Sequence, residues 1–439
     1  MSSINKTNSF PNEKTFEGGV ASRVSIKEQL KRSVMSCMLW EDSFYEDGVS
    51  VTKRIESLIE QVSETDAREI LLQAKFESKL RHLPLYMLTV FAKKGWLKKE
   101  DVFQVVTRAD DMPELLALYW KEGKKPLDKQ LVKGIQLAFH KFNEYELGKY
   151  NRDKDVKLKD VLKITRPKPL NTEESVLWKK LLTDDLATPD TWEVAISACK
   201  TSEEKKTAFN RLLSEGKLGD LAFIRNLRKM NEVGVDRTTL KEYFTTRNWK
   251  WILPYQFVTA ARYNPFVESE IEGAMLKCLE GREKLNVKVK LLVDVSGSMS
   301  SPVSDKSEAS RLDVASGLAI LLREVCLDIE IYTFNDSAKL VPSRRGFALR
   351  DAIGTPRGGT EMWNSIKSVA KDSCDLMIVI TDEQTMDSGN ASVSNSKLLT
   401  IINVANYQNG VGYGKGSLHI SGWSENTIDY LISYVKEYC

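Results

Sequence analysis

Three short segments in the last third of the chain, far apart in sequence, carry oxygen donors that only folding can assemble. They are Asp294-Val-Ser296-Gly-Ser298 after an apolar run, Gly358-Gly359-Thr360, and Ile380-Thr381-Asp382 after a second apolar run. Together they offer two carboxylates and three hydroxyls with no sulfur or imidazole, the set preferred by a hard divalent cation such as Mg²⁺. Val287 to Asp294 alternates and then runs apolar, and Leu376 to Ile380 is a buried-strand pattern. Both end at acidic residues. Open α/β sheets place ligands beyond the C-terminal ends of their strands, so a site built from Asp294, Ser296, Ser298, Thr360 and Asp382 requires such a sheet. Ser296 and Ser298 can turn both hydroxyls to one side of a tight loop, and Gly297 permits the turn. Mg²⁺ sheds water reluctantly, so waters are expected to complete its octahedron. In the alternative, the serines cap a helix and the carboxylates are solvated turn residues.

The residues around these segments alternate between strand and helix patterns. Ser310 to Val325 is helical, Leu327 to Phe334 alternates, Met362 to Ala370 is helical, Leu398 to Val404 is apolar, and Leu418-His-Ile precedes a last helix, Asn426 to Tyr438. That succession predicts a doubly wound sheet. From Ser25 to Cys278 the pattern is different, with short amphipathic segments separated by polar breaks and almost no alternation. They are Lys27–Met38, Val51–Val62, Ala67–Lys79, Pro84–Lys93, Met112–Trp120, Leu131–Tyr145, Leu158–Ile164, Glu174–Leu182, Trp192–Ala198, Glu203–Leu213, Leu218–Met230, Arg237–Tyr243 and Pro254–Ala261. Short helices with tight connections suggest stacked helical hairpins of the HEAT type, although no strict period is visible; an irregular all-α bundle is the alternative. The expected division is a flexible polar N-terminus (1–24), a helical repeat region (25–282) and an α/β domain (283–439).

At 439 residues and 28% charged, the chain has the length and polarity of a soluble protein of two or more domains. No run approaches a membrane span, and the polar start lacks the apolar core of a secretory signal. The six cysteines are scattered through apolar patterns, as reduced core thiols in a cytoplasmic protein would be. Three histidines without paired spacing argue against zinc. From Glu283 onward there are 16 Lys and Arg against 19 Asp and Glu, which leaves 48 against 42 upstream, so the basic excess sits in the helical region. That is a modest bias towards polyanions.

The most basic stretch, Lys121 to Lys168, holds 14 basic residues against seven acidic, with His140, Phe142, Tyr145 and Tyr150 interleaved. Lysines and arginines such as Lys133, Lys149, Arg152, Lys159, Arg166 and Lys168 attract phosphates, and aromatic faces stack unpaired bases. A solvated helix face whose tyrosines belong to the core explains the same composition. In Leu218–Met230 the apolar positions are ordinary core, which leaves Arg225, Arg228 and Lys229 for a polyanion.

The five donors, in this order, resemble the metal-ion-dependent adhesion site of von Willebrand factor A domains. Leu218–Met230 resembles the LxxLALIRNLRNM signature of the TROVE module of the Ro autoantigen family and its bacterial and phage relatives. Glu146-Leu-Gly-Lys149-Tyr150, Leu158-Lys-Asp160-Val-Leu, Arg166-Pro-Lys168-Pro, Ile252-Leu-Pro254-Tyr-Gln-Phe257 and Gly18-Gly19 are similar to further TROVE stretches. The resemblance runs along nearly the whole chain. It implies a ring of HEAT-like helical repeats closed by the A domain, so the fold class is multidomain α plus α/β. It also implies a non-enzymatic, monomeric, cytoplasmic RNA-binding protein that acts in noncoding RNA quality control, in bacteria alongside a 3′ exonuclease. Small Y-like noncoding RNA would lie on the basic outer surface, and single-stranded 3′ ends of misfolded RNA would enter the hole. Lys149 falls where the family has an RNA-contacting lysine, Arg152 lies one residue before the family's arginine, and Arg166 replaces a histidine implicated in Y RNA contact. Cys37-Met-Leu-Trp40 lacks the family's small Gly-rich pattern. DNA and membrane partners are not expected.

Two other functions compete. An adhesion-type scaffold would bind an acidic protein ligand through the Mg²⁺ site. A hydrolase using Asp294 and Asp382 lacks a P-loop, a nearby Lys or His base and a second metal cluster.

Overall fold

Apolar runs bounded by turns become the strands of one six-stranded sheet in the computed structural model of the chain. The structure describes all residues except 1–13, 16, 21–24, 36–47, 152–154, 250–251, 304–306, 406, 408, 413–416 and 439. The strands are β1 (Leu285–Asp294), β2 (Cys326–Phe334), β3 (Ala338–Leu340), β4 (Cys374–Thr381), β5 (Ser396–Asn403) and β6 (Ser417–Ser421). Their spatial order is β3-β2-β1-β4-β5-β6. β3 is antiparallel to β2 and every other pair is parallel. The last six residues of β1 are all buried, as expected of a central strand covered on both faces. The chain order reverses between β1 and β4, so their C-terminal ends flank the crevice of a doubly wound sheet.

The helices are α1 (Ile26–Met35), α2 (Gly48–Gln61), α3 (Glu64–Leu72), α4 (His82–Lys94), α5 (Lys99–Val105), α6 (Asp111–Tyr119), α7 (Lys129–Phe139), α8 (Glu144–Tyr150), α9 (Leu158–Thr165) and α10 (Thr172–Thr183). They continue with α11 (Trp192–Ser197), α12 (Ser202–Ser214), α13 (Asp220–Glu232), α14 (Arg237–Thr245), α15 (Pro254–Tyr263), α16 (Glu268–Leu276), α17 (Arg311–Val325), α18 (Gly346–Ile353), α19 (Met362–Val369) and α20 (Asn426–Tyr438). The chain forms two compact units, one of residues Met1–Ile55 and Phe244–Cys439, the other of Glu56–Tyr243. In the first, α17 packs on β1 and β2. Met362, Trp363 and Ile366 of α19 share a core with Leu292, Met377, Val379, Leu399 and Ile401. α15 packs on α17, so α15 and α16 belong with the sheet although the expected helical region, 25–282, includes them.

In the second unit alternate helices pack on one another: α4 on α6, α5 on α7, and α7 on α9. The first turn of α6 is fixed by Asp111, a fully buried carboxylate. It accepts the N–H groups of Thr107 and Arg108 at 3.1 and 3.0 Å and Arg81 Nε at 3.0 Å. The single helix expected over Leu131–Tyr145 is two. α7 ends at His140, and Asn143 caps α8 by accepting Glu146 N–H while Glu146 accepts Asn143 N–H, a reciprocal box that starts a new helix. α5, α16, α18 and β3 have no counterpart in the sequence pattern.

Candidate metal centre and nucleic-acid interface

Two carboxylates meet in the crevice between β1 and β4. Asp294 ends β1, Asp382 follows β4, and both are fully buried. Thr381 Oγ1 donates to Asp294 Oδ2 at 2.6 Å, and Ser296 N–H donates to Asp294 Oδ1 at 2.8 Å. Burial, and then the charge of Asp382, push the Asp294 carboxyl up to about 7 against these donors. Ser296 Oγ and Ser298 Oγ lie 3.2 Å apart, so the two hydroxyls do turn to one side. Gly297 does not use left-handed freedom. Its N–H donates to Gly358 O at 3.1 Å, and a β-carbon there would lie 3.3 Å from that oxygen, so close passage of two loops explains the glycine. Arg357 N–H donates to Val295 O at 2.6 Å, which completes the zip between the first and second segments. Thr360 is buried two residues beyond Gly358, and its carbonyl accepts Met386 N–H at 2.9 Å. Folding therefore brings all three segments together.

The donor chemistry fits a hard divalent cation. Two buried carboxylates carry the charge that such an ion neutralises, and hydroxyls supply uncharged oxygen. Among the described residues no cluster of three or more His, Cys, Asp or Glu side chains is gathered as a metal site, here or elsewhere, and the carboxylates of this centre number two. Sequence reasoning missed Arg311, a buried arginine whose Nη1 is 3.3 Å from Asp382 Oδ2. A signal was present: Arg311 opens α17, where a cation opposes the helix dipole and so needs a local carboxylate. Thr381 was visible only as part of its segment.

The candidate RNA residues occupy the helical unit. α7, α9 and α10 pack successively, and Lys180 of α10 pairs with Glu144 of α8 at 3.0 Å. Lys133, His140, Lys149, Tyr150, Lys159, Arg166 and Lys168 therefore belong to one packed group of helices and connections. Lys133, Arg166 and Lys168 are exposed. Arg166 adopts a left-handed conformation (φ 50°) as the C-cap of α9. Lys149 Nζ lies 5.8 and 5.5 Å from the rings of Tyr145 and Tyr150, and the Arg108 guanidinium lies 4.5 Å from the Tyr150 ring centre. His140 is engaged in the fold, with Nδ1 3.0 Å from Glu174 and its ring 5.3 Å from Trp178. Lys159 pairs with Asp184. Arg225 and Arg228 are exposed on α13, whose buried face carries Phe223, Ile224, Leu227 and Met230; Phe223 stacks on Tyr243 at 4.4 Å. Arg152 and Cys37 to Trp40 lie outside the described residues. Cys199, Cys278, Cys326 and Cys374 are free thiols. Among the described residues no helix is long and apolar enough to cross a membrane.

No protein-family model matches the chain. No curated protein sequence matches it either. The Ro (RSR) protein of Deinococcus radiodurans matches in structure with a TM-score of 0.59 at 14% identity, over 94% of this chain and all of that one. Helices and sheet together, the chain has the fold of a Ro protein.

Proposed function

We propose that the chain is a non-enzymatic, cytoplasmic RNA-binding protein of the Ro type acting in noncoding RNA quality control. The observation that carries this reading is a fold shared with a Ro protein along almost the whole chain. It is supported by exposed Lys133, Arg166 and Lys168 on one packed helical group. Cationic side chains of this kind bind phosphates through counterion release, so they favour RNA without reading its sequence. Y-like RNA would lie against this group. Single-stranded 3′ ends of misfolded RNA would enter the hole of a helical ring closed by the α/β domain, with a 3′ exonuclease as a further partner in bacteria.

Asp294, Ser296, Ser298, Thr360 and Asp382 would hold Mg²⁺ or a similar cation. When bound, that ion supplies a positive centre able to receive an oxygen ligand. A second reading, an adhesion-type scaffold for an acidic protein ligand, rests on this buried acidic pair. The deciding experiment measures RNA binding by the purified chain across a salt series, with and without EDTA. RNA affinity should fall steeply between about 50 and 200 mM salt and survive EDTA. Affinity independent of salt sinks the RNA reading, and partner protein binding abolished by EDTA favours the scaffold.

A further inference from the structure

Lys14, Thr15 and residues 17–20 form a tight turn. Lys14 and Val20 pair as an antiparallel bridge, and Thr15 N–H donates to Gly19 O at 2.9 Å. The turn sits on the loop that follows Asp382. Thr15, only 4% exposed, donates its hydroxyl to Thr385 O at 2.7 Å and accepts Gly19 N–H at 2.9 Å. A β-carbon on Gly19 would lie 2.4 Å from Thr385 O and 2.8 Å from Asp387 O, so a side chain there would lift the turn from the loop. Asn409 Nδ2 donates to Lys14 O at 2.8 Å.

Helix α1 engages the same loop. Arg32 is fully buried, pairs with equally buried Glu383, and donates to Tyr407 O at 2.6 Å and Asn409 O at 3.2 Å. Glu383 directly follows Asp382, adopts a left-handed conformation (φ 62°), and accepts Gly412 N–H at 2.9 Å. A buried ion pair is a weak source of net stability, so what this one provides is a fixed geometry. Thr385 passes that geometry on: its Oγ1 accepts Met362 N–H at 3.0 Å, and its single proton is shared between Asp387 Oδ1 and Thr360 O, the latter 3.0 Å away.

We propose that Lys14, Thr15, residues 17–20 and Arg32 form a strap that sets the 383–388 loop and, through it, Asp382 and Thr360. Thr15, Gly19 and Arg32 are then positioning residues for a divalent cation, an inference that rests on the metal reading of the site. Groups bonded directly to metal ligands typically change metal affinity by about 10- to 100-fold when lost, and Thr15 acts one bond further out, so its effect belongs at the lower end.

The test uses the full chain, Mg²⁺ as the probe, calorimetric titration for affinity and amide hydrogen exchange at 383–388 without metal. Thr15→Val removes the donor at nearly constant shape, whereas Thr15→Ser keeps it. The valine variant should weaken Mg²⁺ binding by about tenfold and speed exchange in the loop, and the serine variant should behave as the unsubstituted chain does. If Thr15→Val does not fold, Gly19→Ala gives the same two readouts by steric displacement. Unchanged Mg²⁺ affinity, or unchanged loop exchange, in a folded variant overturns the strap. An unsubstituted chain that takes up no Mg²⁺ overturns the metal reading instead.

Discussion

Asp294 and Asp382 are both fully buried, and an ionised carboxylate out of water needs a compensating charge close by. Arg311 supplies one charge to Asp382 at 3.3 Å, and a divalent cation would supply the rest. Mg²⁺ at about 100 times its Kd should therefore stabilise the chain by about 2.7 kcal/mol, read as a rise in Tm. Asp294→Asn and Asp382→Asn should each abolish that rise while the chain remains folded. His419 gives a second residue-level expectation. It is buried beside Arg32, and burial first, then the Arg32 charge, hold its pKa well below the usual histidine value. Its nitrogen also lies 3.1 Å from Glu383, but the Glu383 countercharge is Arg32, so the imidazole stays neutral. The unfolded chain then binds the extra proton, and stability rises with pH up to about 6.5 and is lost as pH falls below it. Urea unfolding between pH 7 and 5 should show this loss, with a slope of at most about 1.4 kcal/mol per pH unit from this residue, and His419→Gln should flatten it. The five oxygen-bearing residues were legible because each sits in a recognisable local segment. Arg311 was signalled only by its place at the start of α17, and the Arg32–Glu383 pair not at all, because their partners are far away along the chain.

The break between α7 and α8 belongs to the element scale. Apolar spacing runs from Leu131 to Tyr145 without interruption, yet Asn143 accepts Glu146 N–H at 3.0 Å and starts a second helix. Local side-chain capping competes with helix continuation here and wins, since the reciprocal box satisfies amides that a helix start leaves open. Asn143→Ala should cost about 1 kcal/mol of stability, measured by urea unfolding, and should loosen α8 before α7 in hydrogen exchange. The elements that sequence reasoning passed over are short. α5 spans Lys99–Val105 and β3 only Ala338–Leu340, too few residues for a period to stand out. Strands β1, β2, β4 and β5 were legible almost to their ends, β1, β4 and β5 because burial on both faces demands apolar runs and β2 by its alternation, whereas Leu418-His-Ile was seen only as preceding the last helix.

Charge acts over the whole molecule. The helical region holds the basic excess, so RNA affinity should fall as salt rises, and the slope counts the phosphates neutralised. Combining Lys149→Ala with Arg166→Gly removes two cations and keeps the left-handed backbone of residue 166, where φ is 50°. This pair should weaken structured RNA binding at low salt and reduce the magnitude of the salt slope by about 2, with the Tm unchanged. An unchanged slope in a filter-binding series would place the RNA elsewhere. The grouping of these residues on α7 to α10 was only partly legible, since composition located the basic stretch but could not say which side chains the fold would engage. His140 and Lys159 turned out to be held by Glu174 and Asp184.

The sequence by itself determined the alternation of strand and helix after Glu283, the run of short amphipathic helices before it, and the five oxygen donors. These are local patterns, written in periods of two and of three to four residues and in strand-ending acids. Only the tertiary structure decided that β1 and β4 are neighbours, that α15 and α16 pack with the sheet, and that a turn at Thr15 and an arginine at position 32 grip the loop after Asp382. Such contacts join residues tens to hundreds of positions apart, and their stability comes from burial and close packing, which leave no periodic trace in the chain.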